Sequence, residues 1–461
     1  MNQKLSGYIQ SVAPSPTMAI TAKAAALRRE GVDVIALSAG EPDFDTPEHI
    51  KDAAKRALDE GFTKYTSPPS GIPELKEAVC HKFAHDNGLQ YSPEEIIVNN
   101  GAKHSLALAV AAVINPGDEM IIPTPYWVTF TEQPRLVGGA PVVVETTPES
   151  GLKLTPDQLR DAITPKTRML LLNSPSNPSG AVYTRDEMAA LGEVALEHDL
   201  YILADEIYEK LIYDGAEHVS MAQISPELKA RTIVVNGVSK TYAMTGWRIG
   251  YAAGPRDVVD LMDKAQSQTV SHPSSISQKA AVEALNGPQD MVETMRVEYD
   301  KRRRFMVERL NALDGVHCDL PLGAFYVYPD LSSYFGHSAA AGRRRRVGGT
   351  DRRIRLRAAE GGRARSGAGC GSARLDPARD VRSHRFATCS RGCAGAARRC
   401  APGCGGHERR GGSSAGIPSL WRTMGPALAG RGPLRGHGRV CHRQGTLVAV
   451  ALPRLRDSGA E

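Results

Sequence analysis

Asn236-Gly-Val-Ser-Lys-Thr-Tyr-Ala-Met-Thr-Gly-Trp-Arg-Ile-Gly250 carries a lysine, Lys240, just after an apolar strand-like run, and an arginine, Arg248, eight residues further on. A lysine at the mouth of a parallel sheet can lose its proton when desolvated and form a Schiff base with an aldehyde cofactor. An arginine nearby can clamp a phosphate through two parallel hydrogen bonds. Alone, either would be an ordinary surface residue, so the reading depends on what flanks them.

Short apolar runs at 95–98, 119–122, 140–144, 169–173, 201–204, 232–236 and 248–253 alternate with helical stretches such as 47–60, 72–88 and 185–198. This alternation predicts an α/β fold around one large, mostly parallel sheet of seven strands. Pro or Thr near the helix starts, and Gly or Asp near some ends, support the helix limits. A highly charged stretch, 291–313, predicts a long helix leading into 322–329, where Gly323-Ala-Phe-Tyr-Val-Tyr-Pro329 reads as a strand of another sheet. Together with the residues before Gly40, it predicts a smaller domain built from both ends of the chain.

The loops after these strands hold the candidate chemistry. Asp205-Glu-Ile-Tyr208 follows the run Tyr-Ile-Leu-Ala. A carboxylate buried there against a pyridine nitrogen would keep that nitrogen protonated, and a phenol three residues on could reach a ring hydroxyl. The plainer reading is an acid capping a helix. In Ser174-Pro-Ser-Asn177-Pro-Ser-Gly180 the Asn177 amide could bond the same ring oxygen, although an Asn-Pro turn alone explains the string. Asn99-Asn-Gly-Ala-Lys-His104 lies between a strand and an apolar helix, so backbone N–H groups point at an anion. Trp127 offers a flat face to a ring, or simply packs in the core.

In this order, these segments resemble the class I aminotransferases of pyridoxal-phosphate (PLP) fold type I, and within them the bacterial aspartate aminotransferases. Ala39-Gly-Glu-Pro-Asp-Phe44, Lys64-Tyr-Thr66, Ser67-Pro-Pro-Ser-Gly-Ile-Pro73 and Met244-Thr-Gly-Trp-Arg-Ile-Gly250 add to the likeness, which covers roughly residues 5–336. The resemblance implies a large PLP-binding domain over 46–295 and a smaller α+β domain, incomplete here, from 1–45 and 296–336. It implies that Lys240 carries PLP and shuttles the proton at the substrate α-carbon. Asp205 would pair with the ring nitrogen, Tyr208 and Asn177 with the ring hydroxyl, and Trp127 would stack on the ring. Gly101, Ala102, Lys103, Ser239 and Arg248 would surround the phosphate, with Tyr65 reaching it from the other subunit of a homodimer. Ser15, Gly40, Lys103, Trp127 and Asn177 would meet an amino-acid or 2-oxo-acid substrate. Aspartate and 2-oxoglutarate are the expected pair. Prephenate or another aromatic acceptor is the alternative, as is a chain that binds cofactor but turns over poorly.

Composition divides the chain at the same point. The 461 residues carry a formal charge of +6, yet residues 337–461 hold 26 Arg, no Lys and only 7 Asp plus Glu. They also hold 23 of the 45 Gly and 6 of the 8 Cys, with no Asn or Tyr. That stretch is therefore +19 and the first 336 residues −13. Helical and strand periodicity vanish there, as expected of a G+C-rich gene read in a shifted frame, and the tail is expected to be disordered. Members of the resembled family supply an arginine for the substrate α-carboxylate from this region, in an Arg-aliphatic-Ser string. The nearest string, Arg456-Asp457-Ser458, puts an acid where the aliphatic belongs.

Cys389, Cys393, Cys400, Cys404 and His407 match no usual zinc spacing, so no metal is expected. The Arg clusters lack interleaved aromatics, which predicts nonspecific adhesion and no specific nucleic-acid partner. Cys80 and Cys318 read as reduced thiols. Neither a signal peptide nor a run of about 18 apolar residues is evident, so no membrane partner and a cytoplasmic location are expected.

Overall fold

The computed structural model describes residues 5–34, 37, 40–335 and the backbone of 450–451. The Cys and Arg clusters of the tail and the Arg456 string lie outside the described residues.

Seven strands form one sheet: β1 (Ile96–Asn99), β2 (Glu119–Pro123), β3 (Ala140–Val144), β4 (Thr167–Asn173), β5 (Tyr201–Asp205), β6 (Thr232–Gly237) and β7 (Gly250–Ala253). Their spatial order is β1-β7-β6-β5-β4-β2-β3. β7 runs antiparallel to both neighbours, and the other pairings are parallel. β1, β6 and β7 are buried along their whole length, as expected of strands covered by helices on both faces. Each fully buried Ile or Val in them contributes about 1.5–3 kcal/mol.

The covering helices follow from local sequence. Glu48–Asp59 buries Ile50, Ala53, Ala54 and Ala57, a stripe at helical spacing that faces Ser275–Asn286. Pro73–Asn87 begins on a proline and stops at Gly88, whose φ of +62° suits the left-handed cap. The long charged helix is Asp290–Asn311.

Two expectations need adjustment. The seventh strand begins at Gly250, two residues later than its apolar run suggested, because Arg248 is left-handed (φ +57°) at the end of a tight turn, Thr245–Trp247. Within 322–329 only Tyr326–Val327 forms a ladder, β8, which pairs antiparallel with β9, Val450–Ala451.

The mixed direction of the sheet decides where chemistry gathers. β1, β2, β4, β5 and β6 deliver the residues that follow them to one edge. Because β7 runs the other way, the residues that precede it arrive at that same edge, with Asn99 opposite Gly250. Asn173 and Asp205 end adjacent strands in register there. The carboxyl ends of such strands are the usual position for a ligand.

Candidate functional site

Lys240 sits on the short helix Val238–Thr241 that follows β6. Its Nζ donates to the Gly40 carbonyl at 2.5 Å and lies 5.7 Å from the Phe325 ring centroid. Burial brings its pKa down to about 8, with Arg248 pulling the same way and Glu41 and Asp205 opposing. An amine so tuned is partly neutral near physiological pH and therefore nucleophilic.

Asp205, 4 % exposed, ends the neighbouring strand. Burial raises its pKa from 3.8 to about 7, although the Ile207 N–H donates to its Oδ1 at 3.3 Å and Lys240 also favours the charge. Glu206 beside it adds to the rise. No salt bridge to Asp205 occurs among the described residues. Such an acid suits a protonated ring nitrogen, which would supply the missing opposite charge.

Tyr208 is buried, with its hydroxyl 2.7 Å from that of Tyr326. Asn177 is held by its own N–H, which donates to Asn173 Oδ1 at 2.7 Å, and its Nδ2 donates to the Tyr326 hydroxyl at 3.4 Å. Tyr208, Asn177 and Tyr326 thus bring three polar tips to one point.

Gly101 (φ +80°) precedes the helix Ala102–Val113, whose first turn holds Ala102 and Lys103. A Cβ on Gly101 would run into the Arg248 guanidinium, so glycine is what lets that side chain lie over the loop. Arg248 is anchored by donating to Thr245 O at 2.9 Å and Asn100 O at 3.2 Å. Free N–H groups of a helix start beside a guanidinium make a site for a phosphate. The Lys103 amine lies 4.6 Å from the Trp127 ring centroid, and burial, then Arg248, lowers its pKa. Trp127 is held edge-on by Phe130. Ser239 is buried beside Lys240.

Two of the expected residues stand apart from this group. Tyr65 is 90 % exposed and meets His272 edge to face. Ser15 caps the helix Pro16–Arg29, its Oγ accepting from Met18 N–H at 3.5 Å. Gly40, by contrast, is in the cleft as the acceptor for Lys240.

A model of the family "Aminotransferase class I and II" matches residues 32–348. The chain belongs to the class I and II aminotransferases. It is 53% identical over 327 residues to an aspartate aminotransferase of Geobacillus stearothermophilus, covering 71% of this chain and 83% of that protein. It is likewise 53% identical over 339 residues to an aspartate/prephenate aminotransferase of Cereibacter sphaeroides, covering 73% and 84%. The crystal structure of the Rhizobium meliloti aspartate aminotransferase superposes with a TM-score of 0.69 at 51% identity, over 71% of this chain and 82% of that one. The Thermus thermophilus aspartate aminotransferase with maleate gives 0.69 at 49% identity, over 72% and 86%. The mixed seven-stranded sheet is accordingly that of PLP fold type I.

For an aminotransferase of this kind the donor set fits PLP: a desolvated amine, a buried acid without a salt bridge among the described residues, hydroxyl and amide donors at one point, and an anion cradle. Sequence reasoning missed Tyr326 and Phe325. Their string was read only as a strand, because an aromatic in an apolar run signals core packing until its neighbours are known. Glu41, which accepts from the Thr245 hydroxyl, was likewise passed over.

Proposed function

We propose that this chain is a PLP-dependent transaminase that moves the amino group of aspartate to 2-oxoglutarate. The observation that carries this reading is the pairing of Lys240, lowered to about 8, with Asp205, raised to about 7, at the ends of adjacent strands. Bound PLP supplies an aldehyde that condenses with amines and a ring that withdraws electrons from the substrate α-carbon.

The chain's own residues supply the rest. Lys240 would hold PLP and would be the group that moves a proton at the substrate α-carbon. Asp205 keeps the ring nitrogen protonated. Tyr208 and Asn177 hold the ring hydroxyl, and Trp127 covers the ring. Gly101, Ala102, Lys103, Ser239 and Arg248 bind the phosphate. Tyr65, too exposed to act within its own chain, serves the cleft of a second copy in a homodimer. Ser15 and Lys103 face the distal carboxylate of the substrate, and Gly40, Trp127 and Asn177 its amino-acid end. The large domain is 46–295, with 1–45 and 296–336 forming part of the smaller one. No described helix is long and apolar enough to cross a membrane, and a cytoplasmic location accords with that.

A second reading, prephenate or aromatic transamination, is favoured by the dual name of the Cereibacter sphaeroides relative. The purified chain is expected to acquire visible absorbance with PLP and Lys240→Ala to lose it. Aspartate should then bleach the band in the wild type. Absence of uptake would sink the reading, and uptake without bleaching would leave a cofactor-binding chain impaired in transfer. Comparing aspartate with glutamate as donor, and 2-oxoglutarate with prephenate as acceptor, separates the two substrate readings.

A further inference from the structure

Tyr326 is buried on β8, in the C-terminal part of the described chain, away from the strands that deliver the rest of the cleft. Its ring meets Tyr208 edge-on, with centroids 5.6 Å apart, and tilts against Phe325 at 4.9 Å. A side chain at residue 40 would overlap this phenol, its Cβ coming within 3.0 Å of Cζ and 3.1 Å of Cε1. The ring therefore has one seat, and glycine at position 40 leaves room for it.

The hydrogen bonds around its oxygen leave two arrangements, since either phenol could donate to the other. Burial pushes both the Tyr208 and Tyr326 hydroxyls far above their ordinary range, so each keeps its proton. The Asn177 amide donates into the Tyr326 oxygen and also bonds the Tyr208 oxygen directly. The remaining partner is Tyr208 at 2.7 Å, where only one of the two phenols can donate. If Tyr208 donated to Tyr326, its single proton would be unavailable to the ring hydroxyl. If Tyr326 donates, the Tyr208 proton is free to turn into the cleft, and a donor that itself receives a hydrogen bond is strengthened.

We propose that Tyr326 is a positioning residue whose hydroxyl donates to Tyr208 and so aims the Tyr208 proton at the ring oxygen of PLP. This rests on the transaminase reading. The chain would run from the Asn177 amide through Tyr326 to Tyr208, linking β8 to the electronic state of the cofactor.

The test uses the full-length chain loaded with PLP, in wild-type, Tyr326→Phe, Tyr208→Phe and doubly substituted forms. The readout is the pH midpoint of the visible absorbance band. A hydrogen-bond donor stabilises the anionic ring oxygen, so a weaker donor moves the midpoint upward. Tyr326→Phe should take up PLP and shift the midpoint up by about 0.5–1 pH unit, the scale of one hydrogen bond. In the Tyr208→Phe background the same change should have no effect. A midpoint equal to wild type, or an equal shift with and without the Tyr208 hydroxyl, overturns the proposal. If Tyr326→Phe loses its thermal transition, 3-fluorotyrosine at position 326 keeps the hydroxyl and makes it a stronger donor. The midpoint should then fall, and an unchanged one overturns the proposal. Wild-type chain that takes up no PLP defeats the transaminase reading and this inference together, whereas failure of the substitutions in a PLP-binding wild type defeats this inference alone.

Discussion

Asp205→Asn should make the cofactor-free chain more stable while weakening its hold on PLP. Burial raises this carboxyl from 3.8 to about 7. An acid whose folded pKa exceeds its unfolded one resists ionisation only in the folded state, so it destabilises the fold as pH rises. The penalty is absent below the unfolded pKa, grows between 3.8 and about 7, and is full above that. A shift of about three units, at roughly 1.4 kcal/mol each, gives a ceiling of about 4 kcal/mol. Asparagine keeps an oxygen to accept from the Ile207 N–H and carries no charge. Urea unfolding of the cofactor-free chain at pH 8 should therefore show Asp205→Asn more stable by up to about 4 kcal/mol, and the gain should fall to about half near pH 5.4. Absorbance titration with PLP should show weaker binding, because the neutral amide offers no opposite charge to a protonated ring nitrogen. A variant no more stable than its parent at pH 8, or a gain independent of pH, would refute the claim that this acid is held at a cost in stability for a cationic partner.

Two other substitutions probe what surrounds it. Behind Asp205, His218 Nε2 lies 3.1 Å from Glu206 Oε2 and 3.9 Å from Glu209 Oε2, with Lys82 paired to Glu209. Burial alone would lower the His218 pKa, but Glu206 and then Glu209 carry it above 6.5. The imidazolium therefore contributes stability that is full below pH 6.5 and is lost as pH rises through the raised value. His218→Gln should cost on the order of 3 kcal/mol at pH 6 and less at pH 9 by urea unfolding, since it leaves a buried carboxylate short of a partner. Gly101→Ala forces a side chain into φ +80° and against the Arg248 guanidinium. It should cost about 1–3 kcal/mol in stability and weaken PLP binding at least tenfold by absorbance titration, with pyridoxal, which lacks the phosphate, affected less.

Much of this was legible in the sequence, because each catalytic candidate directly follows or precedes a run of buried apolar residues. Asp205 and Lys240 could be located at strand ends from Tyr-Ile-Leu-Ala and Thr-Ile-Val-Val alone. The antiparallel direction of β7 could not be read so, since pairing is a long-range property and a four-residue apolar run looks the same in either sense. Its consequence is that Arg248, eight residues beyond Lys240 in sequence, returns to Gly101 at the same edge. Tyr326 was hidden for a related reason. Its polar contacts are with residues 118 and 149 positions away, and only tertiary packing brings such separations together.

The same geography separates two properties that are usually taken together. Apart from Tyr65, the side chains proposed for PLP hang from β1, β2, β4, β5, β6 and the approach to β7, a single sheet whose strands support one another. Their hold on the cofactor draws on that core and on loops anchored to it at both ends. Tyr326 is reached by another route, through β8, and β8 makes its ladder with Val450–Ala451 rather than with the large sheet. Cofactor uptake should therefore depend on the sheet, while the tuning of the ring oxygen depends also on a strand seated outside it. Tyr326 lies against both Tyr208 and Gly40, and the Gly40 carbonyl accepts from Lys240, so a displacement of β8 would reach both the phenol proposed to hold the ring oxygen and the amine proposed to carry PLP. Uptake of PLP that survives Tyr326→Phe, with only the midpoint of the absorbance band moved, is the outcome this separation predicts.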